Sequence, residues 1–320
     1  MRTSFSLGSL LPVGDLLDCA SRIPPYVETL WIPETWGMEA FSMMAAASAR
    51  APHCRIGSSI VNIYSRSPAL AAMGAATVDL ISGGRAVLGL GASSREIVGS
   101  LHGMARDEPL SRMREFVRIV RLAHAGGRID HRGRIFDLSG FRLLVDPGRR
   151  IPVYIAAVGP AMCRLAWEVG DGVILYLRPP AEISRMTGRL GRGRIDVACQ
   201  IITCVAEDAD AAIDRARRTL GFYIGAGSAY REFLAANGFA GEVAAVMGEL
   251  KRSGLGRCHE AVPDKMVDRL CIAGAPGECA GRLGAFRDAG VDLPVLQFNP
   301  AGDVRESFGL FAAEFDPGGT

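Results

Sequence analysis

The sequence predicts a (β/α)8 barrel, on three observations: eight β-rich runs recur along 320 residues, helix-length segments separate them, and most of the runs are apolar throughout rather than alternating. Continuous apolar runs mark strands covered on both faces, as in a parallel sheet, whereas a doubly wound sheet more often shows fewer strands per domain. In chain order, 3–10 (TSFSLGSL) and 29–32 (TLWI) open the series. The third run, 55–60 (RIGSSI), is followed by the best-punctuated helix: Ser67 as N-cap, Pro68 at the first helical position, an alanine-rich body and Gly83-Gly84 as terminator. Next come 86–90 (AVLGL) and 151–157 (IPVYIAA), the latter leading into a helix from Pro160 to near Gly170. After 172–176 (GVILY) and 196–205 (DVACQIITCV), the acidic cluster Glu207, Asp208 and Asp210 suits the positive pole of a helix start. The run 294–298 (PVLQF) completes the eight.

One domain over residues 1–320 is expected, with insertions near 126–150 and 226–266. The first, containing HRGRIFDLSGFRLLVDPGRR, reads as a hairpin-like loop, and the second as extra helices before the last strand. Insertions of this kind lie over a barrel mouth or at a subunit contact.

Composition excludes several classes. With 49% hydrophobic residues and a mean hydropathy of +0.19 the chain buries a sizeable core, which rules out whole-chain disorder. Lys+Arg 36 against Asp+Glu 34 leaves +2, no global field for nucleic acid or an anionic membrane. The opening MRTSFSLGSLLPVGDLLD is broken too soon, by Pro12 and Asp15, to serve as a signal peptide, so a cytoplasmic location is expected. The longest apolar stretch, 69–81, contains Asp79 and falls short of the roughly 18 residues that cross a bilayer. Eight scattered cysteines without a C-x-x-C are expected to be reduced and buried.

The five histidines lie far apart with no H-x-x-x-H or H-E-x-x-H spacing, so no metal site is expected. No G-x-S-x-G offers a hydrolase nucleophile. The run Gly89-Leu90-Gly91-Ala92-Ser93-Ser94 imitates the start of a dinucleotide fingerprint but lacks its third glycine and its acidic ribose partner. It fits either a tight βα turn or a place where a flat ligand approaches the backbone. At Ala157-Val158-Gly159-Pro160-Ala161-Met162 a strand ends in small residues, turns, and enters a helix at Pro160. The amides of Ala161 and Met162, with the helix dipole, offer an anion site at the C-terminal mouth, or simply a capped helix.

The run from Gly57 to Pro68 (GSSIVNIYSRSP), continuing into Asp79 to Gly91 (DLISGGRAVLGLG), resembles the bacterial-luciferase-like family, in the branch that uses the deazaflavin coenzyme F420. The similarity extends collinearly across 151–162, Glu168 to Gly172 (EVGDG), Ala226-Gly227-Ser228 and Ala273 to Glu278 (AGAPGE), nearly the whole chain.

The resemblance implies a barrel holding coenzyme F420, with FMN as the alternative, at its C-terminal mouth, and a hydride passed to a one-carbon pterin. A non-prolyl cis peptide that backs the coenzyme's central ring is implied at Ser59–Ile60, with Asn62 near the ring's polar edge, Gly91 beside it, and the phosphate-bearing tail on the turn from Ala157 to Met162. Glu34 matches the acidic position at the end of the second strand and is the implied catalytic residue. A homo-oligomer acting on a small molecule is expected. Three positions depart from the branch: Ser6 replaces a glutamate, Thr35 a histidine and Ser94 an aspartate. FMN-dependent monooxygenation and a non-catalytic coenzyme-binding role are the competing readings.

Overall fold

The computed structural model describes residues 2–8 and 11–318. Twelve strands are present among them: β1 (Ser4–Leu7), β2 (Thr29–Ile32), β3 (Arg55–Ser58), β4 (Val61–Asn62), β5 (Ala86–Gly91), β6 (Ile129–Arg132), β7 (Asp137–Phe141), β8 (Val153–Ala156), β9 (Gly172–Tyr176), β10 (Asp196–Val205), β11 (Cys271–Gly274) and β12 (Leu293–Phe298). Eight of them, β1, β2, β3, β5, β8, β9, β10 and β12, pair in parallel in that order, and β12 returns to β1 through Ser4↔Val295 to Leu7↔Phe298. The ring is a closed (β/α)8 barrel, and its eight strands fall on the eight apolar runs. Residues 9 and 10 of the expected first strand lie outside the described residues.

Helices follow each ring strand on the outside. The Pro68–Ile81 helix is capped by the Ser67 side chain, which accepts from the Leu70 amide, and it ends before Gly83 and Gly84, both with positive φ. Asp208 accepts from the amides of Asp210 and Ala211 at the start of the Ala209–Ala226 helix. Among the described residues no helix is long and apolar enough to cross a membrane, and all eight cysteines are buried and unpaired.

Two segments leave the simple repeat. Residues 129–141 form an antiparallel hairpin, β6 with β7, tied to the barrel by Glu115, whose carboxylate accepts from the amides of Arg134, Ile135 and Phe136. Between β10 and β12 the chain runs through several helices, and then adds β11, which pairs with the far end of β10 at 202–205. That strand was not expected: four residues long, it begins at Cys271 directly after the helix ending at Leu270, with no turn residue to announce it.

The lumen is filled from below. Trp31 and Tyr154 sit inside with ring centroids 5.4 Å apart, and each occupies space that a neighbouring glycine vacates. A Cβ on Gly57 would lie 2.6 Å from Trp31, and one on Gly172 would lie 2.3 Å from Tyr154. At the N-terminal end Arg2 forks onto both Glu28 and Asp196 at 2.7 to 2.9 Å, while the Tyr154 hydroxyl donates to Asp196 at 2.5 Å. In (β/α)8 barrels the functional site lies at the opposite end, the C-terminal mouth.

The tightest approach in the barrel lies between β3 and β5. A Cβ on Gly89 would stand 1.9 Å from the Ser58 carbonyl oxygen. Gly89→Ala is therefore expected to cost about 3 kcal/mol or more, read as a lower denaturation midpoint. Gly99→Ala, with nothing within 4 Å, is the control and should stay within about 0.5 kcal/mol.

Candidate functional site at the C-terminal mouth

The β3–β5 ladder carries one extra residue. From Gly57 to Val61 one chain advances four residues while its partner advances three, from Val87 to Leu90, so the chain bulges between β3 and β4. Within the bulge the Ser59–Ile60 peptide is cis, as the resemblance implied. The Ser58 side chain replaces the interrupted ladder: its hydroxyl donates to the Gly89 carbonyl and accepts from the Gly89 amide, each at 2.9 Å. Pairing then resumes with Asn62 beside Gly91. The Ile60 side chain covers Gly91 so closely that a Cβ there would lie 2.5 Å from it.

This geometry gathers the expected ring-binding residues Ser59, Ile60, Asn62 and Gly91 at one place on the rim. Two of their polar atoms, Ser59 Oγ and Asn62 Nδ2, are buried without a hydrogen-bond partner. The other end of the Asn62 amide is fixed, its Oδ1 accepting from the Tyr64 amide at 2.9 Å.

The turn from Ala157 to Met162 follows β8, the neighbour of β5. Ala157 extends the sheet by donating to the Ile174 carbonyl, and Gly159 is the N-cap of the Pro160–Val169 helix with no side chain capping it. An uncapped helix start leaves its first amides available to an anion.

Glu34 lies after β2, on the other side of the bulge. Both of its oxygens accept from Arg66, at 2.5 and 2.7 Å, and one also accepts from the Ala40 amide at 2.9 Å. Arg66 reaches Glu39 as well, and Glu39 in turn accepts from the amides of Phe41 and Ser42. Burial works against the Arg66 charge, but Glu34 and Glu39 outweigh it and hold the guanidinium above its ordinary range. Glu34 is thus a paired carboxylate, not a solvated one. Of the positions that depart from the branch, Ser6 is fully buried with an unpartnered hydroxyl, and Ser94 accepts from the Ile97 amide at 3.2 Å.

Several groups at the mouth were not singled out from sequence. Gln200 donates to Gln297 at 3.2 Å across β10 and β12. Tyr176 ends β9 against Tyr223 and Tyr230, with ring centroids 4.8 and 5.7 Å away, and its hydroxyl is buried without a partner. Burial pushes the Tyr176 hydroxyl well up, so it remains protonated and acts as a neutral donor. Strand alternation was the available signal, since Gln200 shares a face with Ala198, and Tyr176 with Ile174, both packed in the lumen. Beside the Glu34–Arg66–Glu39 cluster, the mouth carries the Arg178–Glu182 pair and Arg106, which donates to the Ala92 and Ser93 carbonyls.

The chain is a closed parallel (β/α)8 barrel whose third strand is broken by a bulge at the mouth. A profile of the Luciferase-like monooxygenase family matches residues 27–293, and the chain belongs to that family. It is 32% identical to 5,10-methylenetetrahydromethanopterin reductase of Archaeoglobus fulgidus over 302 residues, 90% of each chain. It is 25% identical to an F420-dependent glucose-6-phosphate dehydrogenase of Amycolatopsis mediterranei, covering 92% of this chain and 90% of the relative. The fold of the coenzyme F420-dependent tetrahydromethanopterin reductase of Methanopyrus kandleri superposes with a TM-score of 0.86 over the full length of both chains, at 20% identity.

The two buried serines at the bulge and at β1 should respond oppositely to truncation. Ser6→Ala removes an unpartnered hydroxyl and is expected to hold or raise the melting temperature. Ser58→Ala strands both backbone groups of Gly89 and should cost about 1 to 3 kcal/mol in a denaturant titration.

Proposed function

We propose that this chain is an oxidoreductase dependent on the deazaflavin coenzyme F420, which passes a hydride to a one-carbon pterin of the methylene-tetrahydromethanopterin type. The observation that carries this reading is the 32% identity, over 90% of each chain, to a reductase of that activity. The mouth supports it. The unpartnered Ser59 Oγ and Asn62 Nδ2 are buried polar atoms that fit the heteroatom edge of a flat ring, and the cleared backbone at Gly91 fits the approach of its face. The uncapped turn at Gly159 to Met162 fits the phosphate of the coenzyme's tail.

When bound in its reduced form, such a coenzyme supplies a hydride to an electrophilic carbon. The chain's own residues then bind, orient and exclude water. Ile60 braces one side of the ring site, while Trp36 and Phe222, with centroids 5.7 Å apart, offer an apolar wall. In a methylene-pterin the one-carbon unit bridges two nitrogens, so one C–N bond must open, with its nitrogen taking a proton, before the carbon becomes the iminium that accepts a hydride; oxidation of the reduced coenzyme would release one proton with each hydride, which balances it. Glu34, held by Arg66, fixes a negative charge where it favours a cationic substrate. The glucose-6-phosphate-oxidising relative shows that substrates differ among similar chains, and Ser6, Thr35 and Ser94 bear on that choice here. Self-association belongs to the same proposal, because Leu70, Met73, Leu80 and Ile81 form an exposed apolar stripe on the Pro68–Ile81 helix.

Anaerobic oxidation of reduced F420, with and without methylene-tetrahydromethanopterin, tests the activity. Substrate-dependent oxidation is expected, falling about 10²-fold or more in Glu34→Gln, which removes the negative charge that would face the cationic carbon. Coenzyme binding without substrate-dependent oxidation would return the barrel to a non-catalytic role, and retained FMN would favour monooxygenation. Gly159→Asp sets a negative charge at the helix pole and should weaken F420 binding by at least about fivefold while the fold persists.

A further inference from the structure

Just beyond β9 the chain takes a left-handed turn at Leu177, with φ of 50°, a conformation uncommon for a residue with a side chain. The turn is followed by Arg178, which is only 3% exposed. One guanidinium nitrogen donates to Glu182 at 2.5 Å, and the other donates to the Val158 carbonyl at 2.5 Å and the Ala157 carbonyl at 3.4 Å. Its flat face lies 4.4 Å from the centroid of the Phe233 ring, and its Nε is buried without a partner. These contacts belong to three elements: the turn before the Pro160–Val169 helix, the Pro180–Leu190 helix, and the Ser228–Leu234 helix of the segment between β10 and β12.

Burying a guanidinium costs several kcal/mol of desolvation, and apolar residues of similar volume often replace a buried ion pair without loss of stability. Cohesion alone therefore does not call for an arginine here. What an apolar residue cannot do is hold two successive carbonyls on the buried side of the turn. A carbonyl oxygen swung toward the amide side would repel an anion bound there.

We propose that Arg178 is a positioning residue for the coenzyme's phosphate. It pins the carbonyls of Ala157 and Val158 so that the amide edge of the Gly159–Met162 turn stays free for the anion, and through Phe233 it docks the Ser228–Leu234 helix against the same turn. Tail binding and the placement of that helix are then set by one guanidinium. This inference rests on the reading that the turn takes the phosphate-bearing tail of F420.

The test compares two ligands, F420 and its phosphate-free fragment of ring and ribityl chain, by fluorescence titration against wild type, Arg178→Lys and Phe233→Leu. Lysine keeps the charge but lacks the fork that holds a carboxylate and two carbonyls together. Arg178→Lys is expected to weaken F420 about tenfold or more while the fragment's affinity stays within about twofold. Phe233→Leu should weaken F420 several-fold and speed amide exchange across residues 228–239. Should Arg178→Lys prove too unstable to titrate, the Arg178→Met/Glu182→Gln pair removes both charges together and is held to the same expectation. Equal losses for both ligands, or no loss for F420, would reduce Arg178 to a structural role and overturn the proposal. A wild type that binds F420 no more tightly than the fragment would remove the phosphate turn, and one that binds neither would remove the coenzyme reading; each takes this proposal with it.

Discussion

The closeness of β3 and β5 at Ser58 and Gly89 governs the mouth of this barrel. There is room for one backbone against the other only because residue 89 has no side chain, and the Ser58 hydroxyl serves both polar groups of Gly89 where the regular ladder stops. With those groups satisfied, and the Ser59 amide donating to the Ile32 carbonyl, the extra residue of the bulge is accommodated. Ile60 is thereby brought over Gly91, and Asn62 is returned to the sheet with one end of its amide fixed and the other unclaimed. The packed lumen below, with Trp31 and Tyr154 over the Arg2 forks, gives the bulge a rigid floor.

Charge is distributed around this rim in a way that bears on the proposed chemistry. On the β2 side of the bulge Glu34 and Glu39 are tied to Arg66, and on the β9 side Glu182 is tied to Arg178. On the β8 side an uncapped helix start presents amides, with the Arg178 guanidinium on its buried flank. Between them stand glutamines, tyrosines and serines, which orient a ligand by hydrogen bonds without competing for protons near neutrality.

Much of the frame was legible in the sequence because parallel strands buried on both faces read as unbroken apolar runs, and most of the eight ring strands announce themselves that way. The Ser67-Pro68 start and Gly83-Gly84 stop were equally plain, since each residue type there answers a local backbone need. The strand β11 was not legible, being four residues spliced directly onto a helix end. At the mouth, Glu34 was read as a functional carboxylate on resemblance, but its bidentate partner Arg66 stands 32 residues away and becomes its neighbour only when β2 and β3 pair. Arg178 was invisible for a similar reason: its partners Val158, Glu182 and Phe233 come from three separate elements, and nothing local marks a buried arginine. Tyr176 and Gln200 were hidden by their surroundings, single polar side chains inside apolar strands whose luminal parity is clear only once the barrel closes.

The central claim is that the bulge and the β8 turn together form a deazaflavin site. Equilibrium titration of the purified chain with oxidised F420 and, separately, with FMN, followed by the change in ligand fluorescence, tests it most directly. Saturable binding of F420 at one site per chain, with FMN bound more weakly, is the predicted result. Absence of F420 binding, or tighter binding of FMN, would contradict it.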